Sequence, residues 1–295
     1  MPHIILGTLL TITGIASGIG TGLIVKIIAD DISLVMTLWF RFAFSLPLLF
    51  FAAFWQSGVT AYRIKAKTTL IIRIILGLAG ISLWFISMRT LPLGLATALV
   101  LSSTIYVAMA SPLFLQEKVG VYRWSAVLIG LLGVFIIADI FSASFNLAII
   151  FPILASMASA GLQITLRRLG RSDAPASVAS WYNFSGFLAI SFLLICMPWL
   201  IEKPPAHIWP HLIALGIIGA LLQLSFTSSY HYIDAVIVST LRYLQVPLAM
   251  VLGFFMFSEI PTIAHAAGIA MIVSASIVIV IREFVRKSQN HSPKV

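Results

Sequence analysis

Ten apolar segments, each roughly 20 residues long, divide this chain and leave only short connections between them. They cover residues 4–25, 34–55, 69–88, 92–115, 123–141, 147–166, 177–198, 210–231, 235–257 and 262–281. A helix needs about 20 apolar residues to cross the hydrocarbon core of a bilayer. Membrane-spanning β-strands are about half as long and alternate in polarity, so this pattern favours helices. The sequence therefore predicts an all-α integral membrane protein with ten transmembrane helices.

The composition agrees with a lipid environment. Hydrophobic residues make up 60% of the chain and charged residues only 9%, whereas soluble proteins carry about 25% charged residues. The net charge of +9 comes from basic residues scattered between apolar segments, which does not indicate a nucleic-acid-binding face. The single cysteine, Cys196, excludes an internal disulfide and a multi-cysteine metal site. The expected partners are the bilayer and a small molecule, without a cofactor, in a monomer or homodimer.

The basic residues between the segments predict the orientation of the chain. Twelve fall on the side that holds the N-terminus, and three fall on the opposite side. The twelve are Arg63, Lys65, Lys67, Lys118, Arg123, Arg167, Arg168, Arg171, Arg282, Arg286, Lys287 and Lys294; the three are Lys26, Arg89 and Lys203. Because Lys and Arg accumulate in cytoplasmic loops, both termini are predicted in the cytoplasm. The first apolar run lasts about 22 residues with no positive residue before it, which argues against a cleaved signal peptide.

The two halves of the chain align without a gap at an offset of 142 residues. Trp39-Phe40-Arg41-Phe42 meets Trp181-Tyr182-Asn183-Phe184, and Glu117 meets Glu259. Asp31 likewise meets Asp173, and Lys26 meets Arg168. Each repeat contains five spans. Because five is an odd number, the second repeat is inverted relative to the first, as in many secondary transporters. The predicted domains are a first repeat at 4–141, a second repeat at 147–282 and a cytoplasmic tail at 283–295.

Two arginines lie inside the predicted spans, whereas Arg73 lies at the start of a predicted helix. Arg41 is about seven residues into the second segment, roughly 10 Å deep, and Arg242 lies similarly deep in the ninth. A charge at such depth costs about 2.5–3.5 kcal/mol on insertion scales. One interpretation is that these side chains bind an anionic group of a substrate with their planar donor forks. The alternative is that they reach a headgroup or cap backbone carbonyls.

Further candidates are polar or aromatic residues in the predicted spans. Tyr243 and Gln245 adjoin Arg242, and Pro247 after them is expected to free a backbone carbonyl. Trp84 and Tyr106 can stack on a planar ligand, or they serve in packing and at the membrane interface. Gln163 adds an amide, and Asn183 is the repeat counterpart of Arg41. The predicted substrate-binding set is Arg242, Arg41, Tyr243, Gln245, Gln163, Trp84, Tyr106 and Asn183, with no catalytic residue or metal ligand.

The positions of the acids restrict the possible chemistry. All nine acidic residues lie at segment ends or in loops, whereas proton-coupled carriers place a carboxylate or histidine inside the membrane. Exchange or facilitated transport is therefore expected. An intramembrane enzyme would need clustered carboxylates or a nucleophile with its base, and neither is present in the spans. A channel would need a repeated polar ring for its filter, which is also missing.

The repeats, the glutamates that end the fourth and ninth segments, and the small-residue segment after each glutamate resemble the paired EamA domains of the drug/metabolite transporter superfamily. Gly268 follows Glu259 by nine residues, as in that family, whereas Ala126 stands at the equivalent place in the first repeat. Trp39–Phe42 and Arg242-Tyr243 are similar to the bacterial S-adenosylmethionine and riboflavin carriers. The resemblance implies a metabolite transporter of the bacterial inner membrane, and other family members export amino acids or other metabolites.

Overall fold

The computed structural model describes residues 2–58, 62–114, 121–138, 146–169, 172–232, 238 and 241–291, and this part of the chain is helical. Short 3₁₀ turns at Leu147–Ile149, Pro198–Leu200 and Ala206–Ile208 precede or follow longer helices. The helices are α1 (Pro2–Ile27), α2 (Leu34–Ser57), α3 (Lys67–Thr90), α4 (Leu93–Leu101), α5 (Ser103–Phe114), α6 (Val121–Ala138), α7 (Ile150–Leu169), α8 (Pro175–Cys196), α9 (Trp209–Tyr232), α10 (Gln245–Phe257) and α11 (Ile263–His291).

The outer faces of these helices carry large apolar side chains. Trp55 is 81% exposed, Phe192 69% and Phe255 76%, a distribution that suits lipid and not water. Within the described ranges, seven helices are long and apolar enough to cross a membrane, and three shorter apolar helices accompany them at Trp124–Ile137, Gln245–Phe257 and Ile263–Ile279. The chain is therefore a multi-pass membrane protein.

Two predicted spans have a different internal structure from the one expected. The segment at 92–115 is divided at Ser102, whose hydroxyl donates to the carbonyl of Leu99 at 2.6 Å. Such local hydrogen bonds compete with the helical pattern. In the ninth segment the regular helix α10 begins only at Gln245. Pro247 consequently lies in the first turn of α10, where a missing N–H is tolerated. The expectation that it interrupts a helix and frees a backbone carbonyl is therefore not met.

The helices pack in pairs around a central group. The helix α1 packs on α9, α3 on α7, α2 on α8 and α6 on α11, while α4 packs on α10. Gly133 and Gly268 allow α6 and α11 to cross closely, since a Cβ on either glycine would lie under 3 Å from the carbonyl oxygen of the other. Because α1 also contacts α3 and α10, the four helices α1, α3, α4 and α10 meet in the interior.

Candidate functional site

A cleft lies where α1, α3, α4 and α10 meet. Its empty space, which includes volume open to the surroundings, is about 320 Å³. Its walls are mostly apolar and contain one large aromatic ring, that of Trp84. The lining residues are Gly18, Ile19, Gly22, Trp84, Met88, Leu93, Thr97, Val100 and Ala249. The cleft can therefore contact a flat apolar group but has few polar groups of its own.

One face of α1 runs along the whole cleft. Gly14, Gly18, Gly22 and Lys26 follow one another at four-residue spacing, which places them on one side of a helix. A Cβ on Gly14 would touch the ring of Phe226, and one on Gly18 would lie 2.9 Å from Nε2 of Gln245. The absence of side chains thus allows groups of the second half to approach α1. The sequence indicated only close helix packing at these glycines.

An ion pair closes the end of the cleft where α1 finishes. Nζ of Lys26 lies 2.6 Å from Oε1 of Glu259 and donates to the carbonyl of Leu91 at 2.7 Å. The backbone N–H of Leu93, a residue of the cleft wall, donates to Oε2 of Glu259 at 2.7 Å. The pair therefore joins α1, the start of α4 and the turn after α10. We call this end of the molecule the Lys26 end.

Two further contacts hold the loops together at the Lys26 end. Arg89 donates to the carbonyl of Ile32 at 2.7 Å and to Oγ1 of Thr37 at 2.8 Å. The backbone N–H of Ser33 donates to Glu202 at 2.9 Å, which links the loop after α1 to the loop after α8. Both halves of the chain thus contribute to closing this end.

Three of the predicted binding residues lie together at the start of α10. Gln245 is buried and borders the cleft through Gly18. Arg242 lies over the ring of Phe226, with its Cζ atom 4.8 Å from the ring centroid, and its Nε has no hydrogen-bond partner among the described residues. Tyr243 donates its hydroxyl to Thr104 at 2.7 Å. With Trp84, which lines the cleft, these residues form the candidate site.

Of the eight predicted residues only Trp84 belongs to the lining of the cleft; the four not yet described lie elsewhere. Gln163 donates to the hydroxyl of Ser103 at 3.1 Å, and Tyr106 interacts with Ser156, so both connect α5 to α7. Asn183 donates to Gln223 at 3.1 Å and accepts from Ser45 at 2.9 Å. Arg41 is buried in the same region between α2 and α9. Within the described residues, no group of three or more His, Cys, Asp or Glu is arranged to hold a metal ion.

Some residues of the site were not singled out as binding residues from the sequence. Met88 and Thr97 line the cleft, and Lys26 pairs with Glu259 although these residues lie near opposite ends of the chain. The continuation of the glycine spacing from Gly22 to Lys26 was the available signal for the α1 face. No comparable signal marks Met88 or Thr97, because apolar and hydroxyl side chains are ordinary in a membrane helix.

A multi-pass helical protein with an interior cleft bounded by both halves, closed at one end by an ion pair, has the architecture of a membrane transporter. The chain belongs to the EamA-like transporter family, whose family model matches residues 5–138 and again residues 146–281. It is thus a transmembrane transporter.

Curated relatives carry transporter names. A riboflavin transporter of Brucella anthropi is 29% identical over 255 residues, which cover 83% of this chain and 87% of the relative. An S-adenosylmethionine uptake transporter of Rickettsia felis is 24% identical and covers 86% and 85%. A pseudopaline exporter of Pseudomonas aeruginosa is 27% identical and covers 78% and 80%. A solved crystal structure has the same fold, with a TM-score of 0.65 and 16% identity over 94% of this chain and 98% of that one.

Proposed function

We propose that this chain is a secondary transporter of the bacterial inner membrane that moves a small metabolite by alternating access. It has ten spans, of which seven are long and three are shorter; α4 and α5 together form one of them. These ten spans make two inverted repeats of five. Both termini face the cytoplasm, so the Lys26 end faces outward. The cleft between α1, α3, α4 and α10, closed by the ion pair of Lys26 and Glu259, is the observation that carries this proposal.

Equivalent contacts support the inverted repeats. Asp173 accepts hydrogen bonds from the backbone N–H groups of Lys65 and Ala66 at 2.7 and 3.2 Å. Asp31 contacts His207 at 3.3 Å. Adding 142 to residues 31 and 65 gives 173 and 207, so each contact maps onto the other when the halves are exchanged. The pairing of α1 with α9 and of α3 with α7 follows the same rule.

The ion pair accounts for closure of one end in this proposal. Alternating access needs a barrier on one side of the substrate that can open when the barrier on the other side forms. Lys26, Leu91 and Leu93 belong to the first half and Glu259 to the second. Separating the halves at this end breaks the two contacts of Glu259, with Lys26 and with the N–H of Leu93, and opens the cleft outward.

The cleft favours a metabolite with a flat ring. The indole of Trp84 and the thioether of Met88 line it, and both make favourable contacts with aromatic groups. Riboflavin and S-adenosylmethionine, the cargoes named for two relatives, both contain a flat heteroaromatic ring. Gln245, which lies beside Gly18 of the lining, and Arg242, three residues before it, supply donors for a carboxylate, which S-adenosylmethionine has and riboflavin lacks. The alternative cargo is an amino-acid-like metabolite, in line with the exporter relative.

Counterflow in proteoliposomes tests the function directly. Vesicles preloaded with unlabelled riboflavin, S-adenosylmethionine, amino acids or nucleotides are given the labelled compound outside, and uptake is followed. We expect one compound to exchange, and Trp84→Ala to lower its exchange about tenfold through lost stacking. Trp55→Ala is the matched control, because Trp55 is 81% exposed on the outer face. Equal effects of the two variants would contradict the assignment of the cleft, and absence of exchange for every class would contradict the proposed cargo.

A further inference from the structure

Two buried arginines lie away from the cleft and have no acidic partner among the described residues. Arg41 on α2 is 3% exposed and Arg73 on α3 is 5% exposed. In both side chains Nε and Nη1 are buried without a hydrogen-bond partner. Buried charges are ordinarily paired, because their transfer out of water is costly. The sequence placed Arg73 at a helix start and gave it no role.

Each guanidinium group lies over one ring of the same aromatic pair, Phe42 and Tyr182. Cζ of Arg73 lies 4.1 Å from the ring centroid of Tyr182, and Cζ of Arg41 lies 5.2 Å from that of Phe42. The rings of Phe42 and Tyr182 meet edge to face, with centroids 5.8 Å apart, and Tyr182 is an electrostatic neighbour of both arginines. These cation–π contacts stabilise the charges only in part.

The polar groups nearby do not satisfy the arginines. Ser45, Asn183 and Gln223 bond to one another and to backbone carbonyls. The hydroxyl of Tyr182 donates to the carbonyl of Gly77 at 3.1 Å. The acids whose side chains the structure describes lie at helix ends or in loops; they are Asp30, Asp31, Asp173, Glu202 and Glu259. Nε and Nη1 of both arginines therefore remain without an acceptor among the described residues.

We propose that Arg41 and Arg73 form an oxyanion-binding site, for a carboxylate or phosphate group, that is separate from the transport cleft. Neither residue lines the cleft. Two planar, permanently charged forks that are short of acceptors match the charge and the donor geometry of such groups. A lipid headgroup and a free phosphate ion present the same phosphate chemistry. Because the arginines are enclosed by α2, α3, α8 and α9, we favour the small free anion.

Phosphate titration of the purified full-length chain tests this site. In detergent micelles, isothermal titration with sodium phosphate is compared with sodium chloride at matched ionic strength. We expect saturable phosphate binding that weakens about tenfold or more in Arg41→Gln/Arg73→Gln, because charge-assisted hydrogen bonds are lost. Arg63→Gln/Lys203→Gln removes two exposed loop charges and is expected to bind phosphate like the unaltered protein.

A second arm separates the two sources of the anion. The melting temperature is measured in phosphatidylcholine nanodiscs with and without phosphatidylglycerol. An increase with phosphatidylglycerol that the arginine double variant loses, without phosphate binding in micelles, assigns the site to a lipid headgroup. If the unaltered protein responds to neither probe, or if the double variant retains the full response, the site does not exist. Should the double variant fail to fold, the single variants Arg41→Gln and Arg73→Gln replace it, and full retention of the response by both would likewise show that the site does not exist.

Discussion

Nζ of Lys26 lies 2.6 Å from Oε1 of Glu259, which connects the last turn of α1 to the turn that follows α10. Ser258 adopts a left-handed conformation, with φ at 54°. The backbone N–H of Glu259 then donates to the carbonyl of Gly253 at 3.1 Å. This turn directs the carboxylate towards Lys26 and the N–H of Leu93. The contacts of the Glu259 carboxylate with Lys26 and with the N–H of Leu93 thus depend on one turn.

Charge reversal tests the role of this pair. Lys26→Glu or Glu259→Lys alone places like charges together, which costs several kcal/mol when they are partly desolvated. We expect counterflow to fall about tenfold in each single variant and to recover to within about threefold in the double variant. A double variant no better than the single ones would contradict a role for the ion pair itself.

Accessibility of the cleft gives an independent measurement. With Cys196→Ser as background, a cysteine at Met88 reports whether the Lys26 end is open. Modification by a membrane-impermeant maleimide added outside is expected to be several times faster when Lys26 is replaced by Ala than when Lys26 is intact. Unchanged modification would show that the pair does not limit access.

The charge of the cargo determines the effect of Arg242. If the metabolite carries a carboxylate, Arg242→Gln removes charge-assisted hydrogen bonds, and exchange falls about tenfold or more. If the metabolite is a neutral ring compound, the loss stays below about threefold. Transport assays with both types of cargo, normalised to the amount of folded protein, separate these cases. A loss of the same size for charged and neutral compounds would place Arg242 outside the binding site.

Asp173 stabilises the loop before α3 in a pH-dependent way. Burial opposes its ionisation, but hydrogen bonds from the N–H of Lys65, the hydroxyl of Ser172 and the N–H of Ala66, with the charge of Lys65, lower the pKa of Asp173 overall. The folded pKa is below the unfolded value of about 3.9. This stabilisation is therefore complete above the unfolded pKa and is lost as the pH falls through the folded pKa.

We expect Asp173→Asn to lower the free energy of unfolding by about 1–2 kcal/mol at neutral pH, in keeping with charged hydrogen bonds. The difference in melting temperature from the unaltered protein is expected to stay constant between pH 5 and 7, and to narrow below about pH 4. Asp30→Asn, at an exposed loop position, controls for loss of a negative charge. A difference that grows on acidification would contradict this account.

Proton coupling is not expected, because the described carboxylates lie at helix ends or in loops. A protonophore that collapses the pH gradient is expected to leave counterflow within about twofold, since none of the described carboxylates lies inside a span. Counterflow that depends strictly on the gradient would overturn this expectation. Glu259, at the end of the cleft, would then be the first residue to replace.

The register between the halves predicts a counterpart of the ion pair. Adding 142 to Lys26 gives Arg168, and subtracting 142 from Glu259 gives Glu117; Glu117 and the side chain of Arg168 lie outside the described residues. We expect Glu117→Arg to impair counterflow about tenfold and Glu117→Arg/Arg168→Glu to restore it in part. If the double substitution restores nothing, the two positions do not act as a pair.

The membrane class of the chain could be read directly from its sequence, because span length and the scarcity of charge are imposed by the bilayer. The environment of single side chains could not. The depth of Arg41 was predictable, but the rotation of α2 that buries this residue between α2 and α9 depends on packing with α8 and α9. Arg73 was expected at a helix start, and only tertiary packing against Tyr182 buries it. The pairing of Lys26 with Glu259 likewise depends on how distant helices meet.

Gly14, Gly18, Gly22 and Lys26 must stay on one face of α1. This requirement fixes the number of residues between them more strictly than it fixes the residue types elsewhere on the helix. Each added residue would turn everything beyond it by about 100°, so an insertion between Gly22 and Lys26 would point the lysine away from Glu259 while leaving every glycine in place. On the outer face, where Ile5, Leu9 and Ile12 are exposed, one apolar residue can replace another. Natural variants of α1 are therefore expected to tolerate many substitutions but no insertion or deletion.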